Sequence, residues 1–268
     1  MGAAIRTLAF PHPPRQHRAN ALRRCPELVW VQTQTGGKTP AVHIKIPNSR
    51  LTLLYTHGNA EDLGDIVDLL RHTASACEAD IFAVEIPGYS ISEAEGPSEE
   101  LMYEAVDAAY DYLVRDLQVP PSQIVPYGRS LGSAPAVHVA SQHPEIRGLV
   151  LVSPLKSGGH AFAGPTISWF GYYIDPFKNY EKIERVQAQT CIIHGTADSV
   201  VPCSNGRGLY EQMQQRGLAF EPLWIEGRGH NDMPMDRVLM HVRHFLRSLF
   251  ASGNSSSRPH HGYGLPPA

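Results

Sequence analysis

The sequence places one serine where it is suited to nucleophilic attack. The segment from Gly128 to Gly132 has the pattern G-x-S-x-G, with an apolar run before it and a helix-forming run of small residues after it. A serine in a sharp turn between a strand and a helix needs small residues two positions away on either side. The turn lifts the hydroxyl out of the sheet and aims the next backbone N–H, that of Leu131, at a developing oxyanion. Ser130 is therefore the candidate nucleophile.

A base for this serine is predicted near the C-terminal end of the chain. A serine hydroxyl is a weak nucleophile until a neighbouring base takes its proton. His230 lies in a glycine-rich segment, GRGHND, directly after the apolar run Leu223–Ile225, and a loop of this kind at a strand end is exposed. Other histidines are interpreted as surface, packing or tail residues: His138, His143, His241, His244, His260 and His261.

The residue that orients the base is predicted from the preceding apolar run. Where a serine nucleophile sits in such a turn, serine, acid and histidine follow one another along the chain, each after a strand. Asp198 follows the run Cys191–Ile193, and its carboxylate would accept a hydrogen bond from the imidazole and stabilise the charged ring. Asp232 is the rival acid, but it lies too close to His230 along the chain for the usual geometry.

A second oxyanion donor is expected after the third predicted strand, where the sequence reads HGNAED. Glycine allows close approach of the backbone there, and the backbone N–H of Asn59 is the candidate donor. His57 is interpreted as a structural hydrogen-bonding residue. Glu61 and Asp62 are interpreted as the acidic start of a helix rather than as a metal pair. No spacing of Cys and His suggests zinc, so the sequence predicts neither a metal nor a cofactor.

These residues require a sheet whose strand ends meet at one edge. Apolar runs rich in β-branched residues predict strands at Leu28–Gln32, Val42–Ile46, Leu51–Tyr55, Ile81–Ile86, Ile124–Tyr127, Leu149–Val152, Cys191–Ile193 and Pro222–Ile225. Helical patterns occur at Leu63–Cys77, Ser98–Asp116, Leu131–Ser141, Asn205–Gln215 and Met235–Phe250. Strands followed by strand–helix alternation predict an α/β fold, a mostly parallel sheet with helices on both faces. Pro126 counts against the fifth strand, because proline lacks a ladder donor.

Length and composition fit one α/β domain. The chain has 268 residues, 42% of them hydrophobic, and a net charge of −3, which argues against nucleic-acid binding. We predict an irregular N-terminal arm over residues 1–25, the domain over 26–250 and a disordered tail over 251–268. The four cysteines form no C-x-x-C pair, which is typical of free thiols in a reducing compartment such as the cytoplasm.

Aromatic residues are dense in residues 158–178, which we interpret as a short lid. Phe162, Trp169 and Phe170 are the candidate substrate contacts. Two interpretations stay open: an acyl-chain groove or membrane-contact surface, and a lid that packs on its own domain.

Taken together, several segments resemble the α/β-hydrolase-domain type 17 family, serine hydrolases that remove palmitate from cysteines of membrane-anchored proteins. The matching segments are LAFP at 8–11, HGNAEDLG at 57–64, PGYS at 87–90, YGRSLG at 127–132, SPLKSG at 153–158, HGTAD at 194–198, EPLWIEG at 221–227 and GHND at 229–232. The resemblance implies an α/β-hydrolase fold and the triad Ser130, Asp198 and His230. Arg129 stands where the family has a neutral polar residue.

The resemblance also implies a function and a location. It implies a palmitoyl-protein thioesterase that acts on S-acylated proteins, in the cytoplasm or peripherally at the cytosolic face of membranes. A carboxylesterase or lipase of small or lipid esters is the alternative, and an inactive scaffold with the same fold is a further one. A peptidase of the oligopeptidase type is disfavoured, because 268 residues leave no room for an added gating domain.

Overall fold

The computed structural model describes residues 20–94, 96–162 and 175–251. Its centre is an eight-stranded sheet in the order β1-β2-β4-β3-β5-β6-β7-β8. The strands are β1 Leu28–Gln32, β2 Lys38–Ile44, β3 Thr52–Thr56, β4 Asp80–Val84, β5 Ile124–Arg129, β6 Leu149–Val152, β7 Thr190–Gly195 and β8 Leu223–Ile225. The pairs β1–β2 and β2–β4 are antiparallel, and every later pair is parallel. The predicted α/β-hydrolase fold, with a mostly parallel sheet, is confirmed.

Helices cover both faces of this sheet. They are α1 Leu63–Cys77, α2 Glu99–Asp111, α3 Ser133–Gln142, α4 Gly158–Phe162, α5 Asn179–Lys182, α6 Ser204–Gln215 and α7 Met235–Ala251. One hydrophobic cluster packs α1 and α7 against the sheet, and a second packs α2, α3 and α6 against the opposite face. Burial on both faces explains why the central strands read as continuous apolar runs.

Side-chain caps set the starts of the first two helices. The Asp62 carboxylate accepts a hydrogen bond of 3.0 Å from the backbone N–H of Asp65. The Ser98 hydroxyl accepts one of 3.2 Å from the backbone N–H of Leu101. Such caps satisfy N–H groups that the first turn of a helix leaves without partners. The predicted bounds of α1 are confirmed, whereas the α-helix predicted to reach Asp116 changes to a π turn at Tyr112–Asp116.

The second strand begins earlier than predicted, at Lys38 rather than Val42. Gly36 has φ +92° and turns the chain, so that Lys38 pairs with Gln32 in an antiparallel hairpin. Proline is unfavourable inside a sheet, and Pro40 lies within the part of the strand that the prediction left out. It is accommodated in the hairpin directly opposite Trp30.

The fifth strand accommodates Pro126 although it is central. Pro126 lies opposite Leu54 of β3, while pairing with β6 begins one residue later, at Tyr127. At Pro126, which has no N–H to donate, β5 is therefore paired with β3 but not with β6, as a strand at a sheet edge is paired on one side only. The strand then continues to Arg129, two residues beyond its predicted end.

Residues near the ends of the described chain pack on the domain. Residues 20–23 are helical, and Leu22 and Cys25 belong to the same hydrophobic cluster as α1 and α7. Most of the predicted arm and all but Ala251 of the predicted tail lie outside the described residues, so these two assignments remain predictions. Within the described ranges, no helix has the length and apolar character needed to cross a membrane.

The packing of α7 can be tested with two substitutions on one helix. Phe245 is fully buried, with its ring centroid 5.1 Å from that of Phe220. We expect Phe245→Ala to lower the free energy of unfolding by about 3–5 kcal/mol, because it leaves a cavity. Met240 is 66% exposed, and Met240→Ala should change that free energy by less than about 0.5 kcal/mol. Equal effects in urea-induced unfolding would contradict the described orientation of α7.

Candidate active site

Ser130 occupies a sharp turn at the edge of the sheet. It follows β5 directly and starts a 3-10 turn, Ser130–Gly132, that leads into α3. Its φ of +52° lies in the left-handed region, which costs a non-glycine residue of order 1–3 kcal/mol and persists only where surrounding contacts impose it. The sequence pattern predicted this strand–turn–helix arrangement.

The two flanking glycines permit contacts that no side chain would allow. A Cβ on Gly128 would lie 2.5 Å from the carbonyl oxygen of Gly132 and 2.6 Å from the Cα of Ser133. A Cβ on Gly132 would lie 2.5 Å from the carbonyl carbon of Thr56 and 2.6 Å from the carbonyl oxygen of His57. The turn therefore packs on itself and against the chain that leaves β3.

The structure brings Ser130, His230 and Asp198 into one chain of hydrogen bonds. His230 Nε2 lies 2.9 Å from Ser130 Oγ, and His230 Nδ1 lies 2.7 Å from Asp198 Oδ2. An ionised carboxylate only accepts, so Nδ1–H of His230 donates to Asp198. In the neutral ring, Nε2 then accepts the hydrogen bond of the serine hydroxyl, as a general base requires.

The sheet explains why the acid and the base meet. Strands β7 and β8 are parallel neighbours, with Gly195 opposite Ile225, so the loops after them leave the same edge. A Cβ on Gly195 would lie 2.8 Å from the carbonyl carbon of Arg228, and Ala197 N–H donates to the Arg228 carbonyl at 2.9 Å. The loop of Asp198 is thereby attached to the loop that carries His230.

Several donors hold Asp198 in its charged form. Its Oδ1 accepts from the backbone N–H groups of Val200 and Val201 at 2.9 and 2.8 Å, and its Oδ2 lies 3.2 Å from Nε2 of buried His194. Burial on its own raises the pKa of Asp198, but the hydrogen bonds from His194, His230 and Val201 lower it below its ordinary value. Asp198 is therefore ionised near neutral pH.

The rival residues have other partners. Asp232 Oδ1 accepts a hydrogen bond of 2.6 Å from the backbone N–H of Gly229, which shapes the loop around His230. His138 pairs with Asp107, and His143 with Glu145. His241 Nε2 lies 2.9 Å from the Glu221 carbonyl, His244 packs against the Phe220 ring, and residues 260 and 261 lie outside the described chain.

The loop after β3, which carries the candidate donor Asn59, is fixed by side chains. The Tyr89 hydroxyl donates to Asn59 Oδ1 at 2.5 Å, and the following residue, Ala60, has φ +59°. The Thr56 hydroxyl donates to the Gly132 carbonyl at 2.6 Å, which ties the start of this loop to the nucleophile elbow, the sharp turn from Gly128 to Gly132. Leu131 is 2% exposed at the start of the turn into α3. Their backbone N–H groups remain the candidate oxyanion donors.

The sequence did not predict Glu85 as part of this site. His57 and Glu85 are fully buried as side chains, with His57 Nε2 2.7 Å from Glu85 Oε1. Strands β3 and β4 are parallel, and Thr56 lies opposite Val84, so the residues that follow them leave the sheet side by side. An acidic residue at the end of an otherwise apolar strand was the signal that could have identified Glu85.

Arg129, the residue next to the nucleophile, joins two functional loops. Its guanidinium forms an ion pair with Glu61 and donates to Asn231 Oδ1 at 3.0 Å. Glu61 Oε2 lies 3.4 Å from the backbone N of Gly58. The interpretation of Glu61 and Asp62 as a helix start is confirmed for Asp62, the N-cap of α1, whereas Glu61 is the partner of Arg129.

The candidate substrate contacts lie largely outside the residues that the structure describes. Trp169 and Phe170 lie outside the described residues, and of Phe162 the structure describes only its place at the end of α4. The flanks of that segment are described: Ala161 and Phe177 belong to one buried apolar cluster with Leu131. The described flanks of the segment thus pack in the same cluster as a candidate oxyanion residue.

The described ranges hold no group of three His, Cys, Asp or Glu side chains placed to bind a metal ion. The cysteines are free thiols, buried at Cys25, Cys77 and Cys191 and half-buried at Cys203. Burial raises the pKa of Cys77 to about 12, so its thiol is no nucleophile near neutral pH.

Comparison with known proteins agrees with this fold. Residues 52–188 match the model of the alpha/beta hydrolase fold, and residues 168–252 match that of the prolyl oligopeptidase family. Among solved structures, an esterase of Pyrococcus furiosus has a TM-score of 0.67 at 17% identity and covers 89% of this chain and 97% of its own. Est1E of Butyrivibrio proteoclasticus has a TM-score of 0.65 at 15% identity, over 84% and 99%. Fold and site thus define an α/β hydrolase.

Named relatives identify the family within the α/β hydrolases. The chain is 36% identical to alpha/beta hydrolase domain-containing protein aho-3 of Caenorhabditis elegans, over 86% of this chain and 68% of the relative. It is 39% identical to the human alpha/beta hydrolase domain-containing protein 17C, over 75% of this chain and 60% of the relative. The chain belongs to the α/β-hydrolase-domain type 17 family, which confirms the resemblance seen in the sequence.

The close packing of Gly132 gives a prediction. Gly132→Ala should push the elbow away from Thr56, lowering kcat/KM for p-nitrophenyl acetate by about 100-fold and the free energy of unfolding by about 1–3 kcal/mol. Gly37→Ala is the control, since a Cβ there would meet only the Thr33 hydroxyl at 3.4 Å. Full activity in Gly132→Ala would mean that the contact between elbow and β3 does not position the nucleophile.

Proposed function

We propose that this protein is a serine hydrolase that removes palmitate from S-acylated cysteines of proteins. The hydrogen-bonded chain Ser130–His230–Asp198 in a strained elbow carries the proposal, because it supplies an activated nucleophile. Membership of the type 17 family supports the substrate class. In this proposal Ser130 is the nucleophile and His230 the general base. Asp198 orients the imidazole ring and stabilises its protonated form.

The reaction takes place in two halves. Ser130 Oγ attacks the thioester carbonyl while His230 takes the hydroxyl proton, and the backbone N–H groups of Leu131 and Asn59 stabilise the oxyanion. The carbon–sulfur bond breaks, and the cysteine leaves as a thiol with the proton that His230 returns. Water, deprotonated by His230, then attacks the acyl-serine ester. Palmitate departs and Ser130 regains its proton.

The chemistry of the leaving group favours a thioester over an amide. A cysteine thiol has an ordinary pKa of about 8.5, so it departs with less proton donation than an alcohol or an amine needs. A triad of this kind therefore meets its highest barrier with amides. A carboxylesterase activity uses the same residues and steps, so only substrate preference separates it from a thioesterase.

The acyl chain requires an apolar surface close to Ser130. Each methylene that leaves water contributes about 0.8 kcal/mol to binding. The cluster of Leu131, Ala161 and Phe177 places apolar residues next to the nucleophile, and the aromatic residues Trp169 and Phe170 lie in the segment that this cluster flanks. We assign the acyl-chain contact to this region, with Phe162 at its edge, and propose S-acylated proteins at the cytosolic face of membranes as partners.

The proposal is tested by hydrolysis of a palmitoylated cysteine peptide and of p-nitrophenyl esters. Wild type should release palmitate, and Ser130→Ala should reduce kcat by at least about 10⁴-fold. The control is Ser141→Ala, since the Ser141 hydroxyl donates to the His138 carbonyl on α3, away from the elbow's functional face.

Three outcomes separate the alternatives. Cleavage of short esters alone, still dependent on Ser130, would identify a carboxylesterase and overturn the substrate assignment. Activity retained in Ser130→Ala would overturn the site. An inert wild type that binds S-acylated peptide without cleaving it would indicate the scaffold.

The acyl-chain contact has its own test. Trp169→Ala and Phe170→Ala should lower kcat/KM for p-nitrophenyl palmitate by about tenfold through lost apolar contact, with p-nitrophenyl acetate unaffected. Trp30→Ala, on the edge strand β1, serves as the matched control. Equal loss on both esters in the Trp169 and Phe170 variants would remove the assignment of these residues to the acyl chain.

A further inference from the structure

A buried pair of ionisable residues lies next to the loop after β3 that carries Asn59. His57 and Glu85 have fully buried side chains and lie at the ends of neighbouring strands. His57 Nδ1 is 2.9 Å from the carbonyl oxygen of Gly58, and His57 Nε2 is 2.7 Å from Glu85 Oε1. The proposed triad uses neither residue, yet burying such a pair costs free energy.

The hydrogen-bond partners determine which atoms carry protons. A carbonyl oxygen only accepts, so the proton on His57 Nδ1 is required by Gly58. Glu85 Oε2 accepts from the backbone N–H of Leu63 at 3.0 Å. The backbone N of Ile86 lies between two possible acceptors, 3.0 Å from Glu85 Oε1 and 3.2 Å from His57 Nε2. Two N–H donors favour an ionised carboxylate. The 2.7 Å contact between His57 Nε2 and Glu85 Oε1 needs one proton between the two atoms. With Glu85 ionised, that proton is on Nε2, so the Ile86 N–H is assigned to Glu85 and the ring is an imidazolium.

The charged groups around His57 agree with this protonation. Burial alone lowers the pKa of His57, but Glu85, the Gly58 carbonyl and Asp62 raise it, and the net pKa lies above its ordinary value. The nearby Tyr89 ring faces His57 at 6.3 Å, and burial raises its pKa to about 12, so its phenol stays a neutral donor. The guanidinium of Arg129, at the end of β5, also lies near Gly58, but its charge is paired with that of Glu61. The imidazolium persists below its raised pKa and is lost as pH rises through it.

This charge acts on one particular peptide group. The carbonyl of Gly58 and the N–H of Asn59 belong to the same planar peptide. A hydrogen bond from a cation to that carbonyl orients the plane and polarises it, which makes the N–H on the other side a stronger donor. The Asn59 side chain is held separately by the Tyr89 hydroxyl.

We infer that His57 and Glu85 form an ion pair that orients and polarises the Gly58–Asn59 peptide, so that the Asn59 N–H is prepared to stabilise an oxyanion. Both are positioning residues, since they act through this peptide. The inference rests on the proposed function, in which Asn59 donates to the oxyanion.

The protonation state can be measured in the wild-type protein. In ¹⁵N-labelled protein, both ring nitrogens of His57 should carry a proton at pH 7.5 in long-range ¹H–¹⁵N spectra, assigned by loss of the signal in His57→Gln. A ring with one unprotonated nitrogen at that pH would overturn the inference. The assignment requires that the signals of the other histidines stay in place in His57→Gln, which shows that the variant is folded.

The effect on catalysis is measured with Glu85→Gln, which keeps an acceptor for His57 but removes the charge. We expect kcat for p-nitrophenyl acetate and the rate at which a fluorophosphonate modifies Ser130 to fall by about 10–100-fold, with KM unchanged. Asp107→Asn makes the matched change, removing the charge of the carboxylate that pairs with His138, away from this loop, and should leave both rates unchanged.

The outcomes distinguish this inference from the proposed function. Equal rates in wild type and in folded Glu85→Gln would overturn the inference and leave the triad intact. A rise in KM with unchanged kcat would likewise contradict it, because a support for the oxyanion acts in the transition state. No modification of Ser130 in wild type would overturn the proposed function, and the inference with it.

Discussion

The close contact between the elbow and the end of β3 is the constraint on which the site depends. Gly132 lies so close to the backbone of Thr56 that no side chain fits, and the Thr56 hydroxyl donates to the Gly132 carbonyl. This contact holds Ser130 in its left-handed conformation and sets the elbow against the loop of Asn59. Parallel pairing of β3, β5, β6, β7 and β8 brings the remaining loops to the same edge.

At this edge of the sheet, a buried carboxylate forms a hydrogen bond with each of two histidines of the candidate site. Asp198 accepts a hydrogen bond from His230 and is itself held by backbone N–H groups and by buried His194. His57 contacts the peptide of Asn59 and is held by Glu85. In both cases a histidine and a carboxylate come from loops or strand ends that the sheet has already aligned. Preorganised dipoles of this kind stabilise a transition state without rearranging when the reaction takes place.

The sequence predicted the fold class and the candidate triad, three residues that the structure brings together, because each leaves a local pattern. The elbow needs glycines at Gly128 and Gly132, and apolar runs before Asp198 and His230 mark strand ends. Glu85 escaped prediction because its role depends on the register of β3 against β4, which no local pattern records. Arg129 was seen as a departure from the family, but its contacts with Glu61 and Asn231 join loops 68 and 102 residues away in the chain, and only the folded sheet reveals them.

The most direct measurement is a crystal structure of the protein after reaction with an alkyl fluorophosphonate. The account predicts a phosphorus atom bonded to Ser130 Oγ and a phosphonyl oxygen about 2.7–3.1 Å from the backbone nitrogen atoms of both Leu131 and Asn59. His230 should remain hydrogen-bonded to Asp198. An adduct on another residue, or a phosphonyl oxygen directed away from the loop of Asn59, would contradict the account.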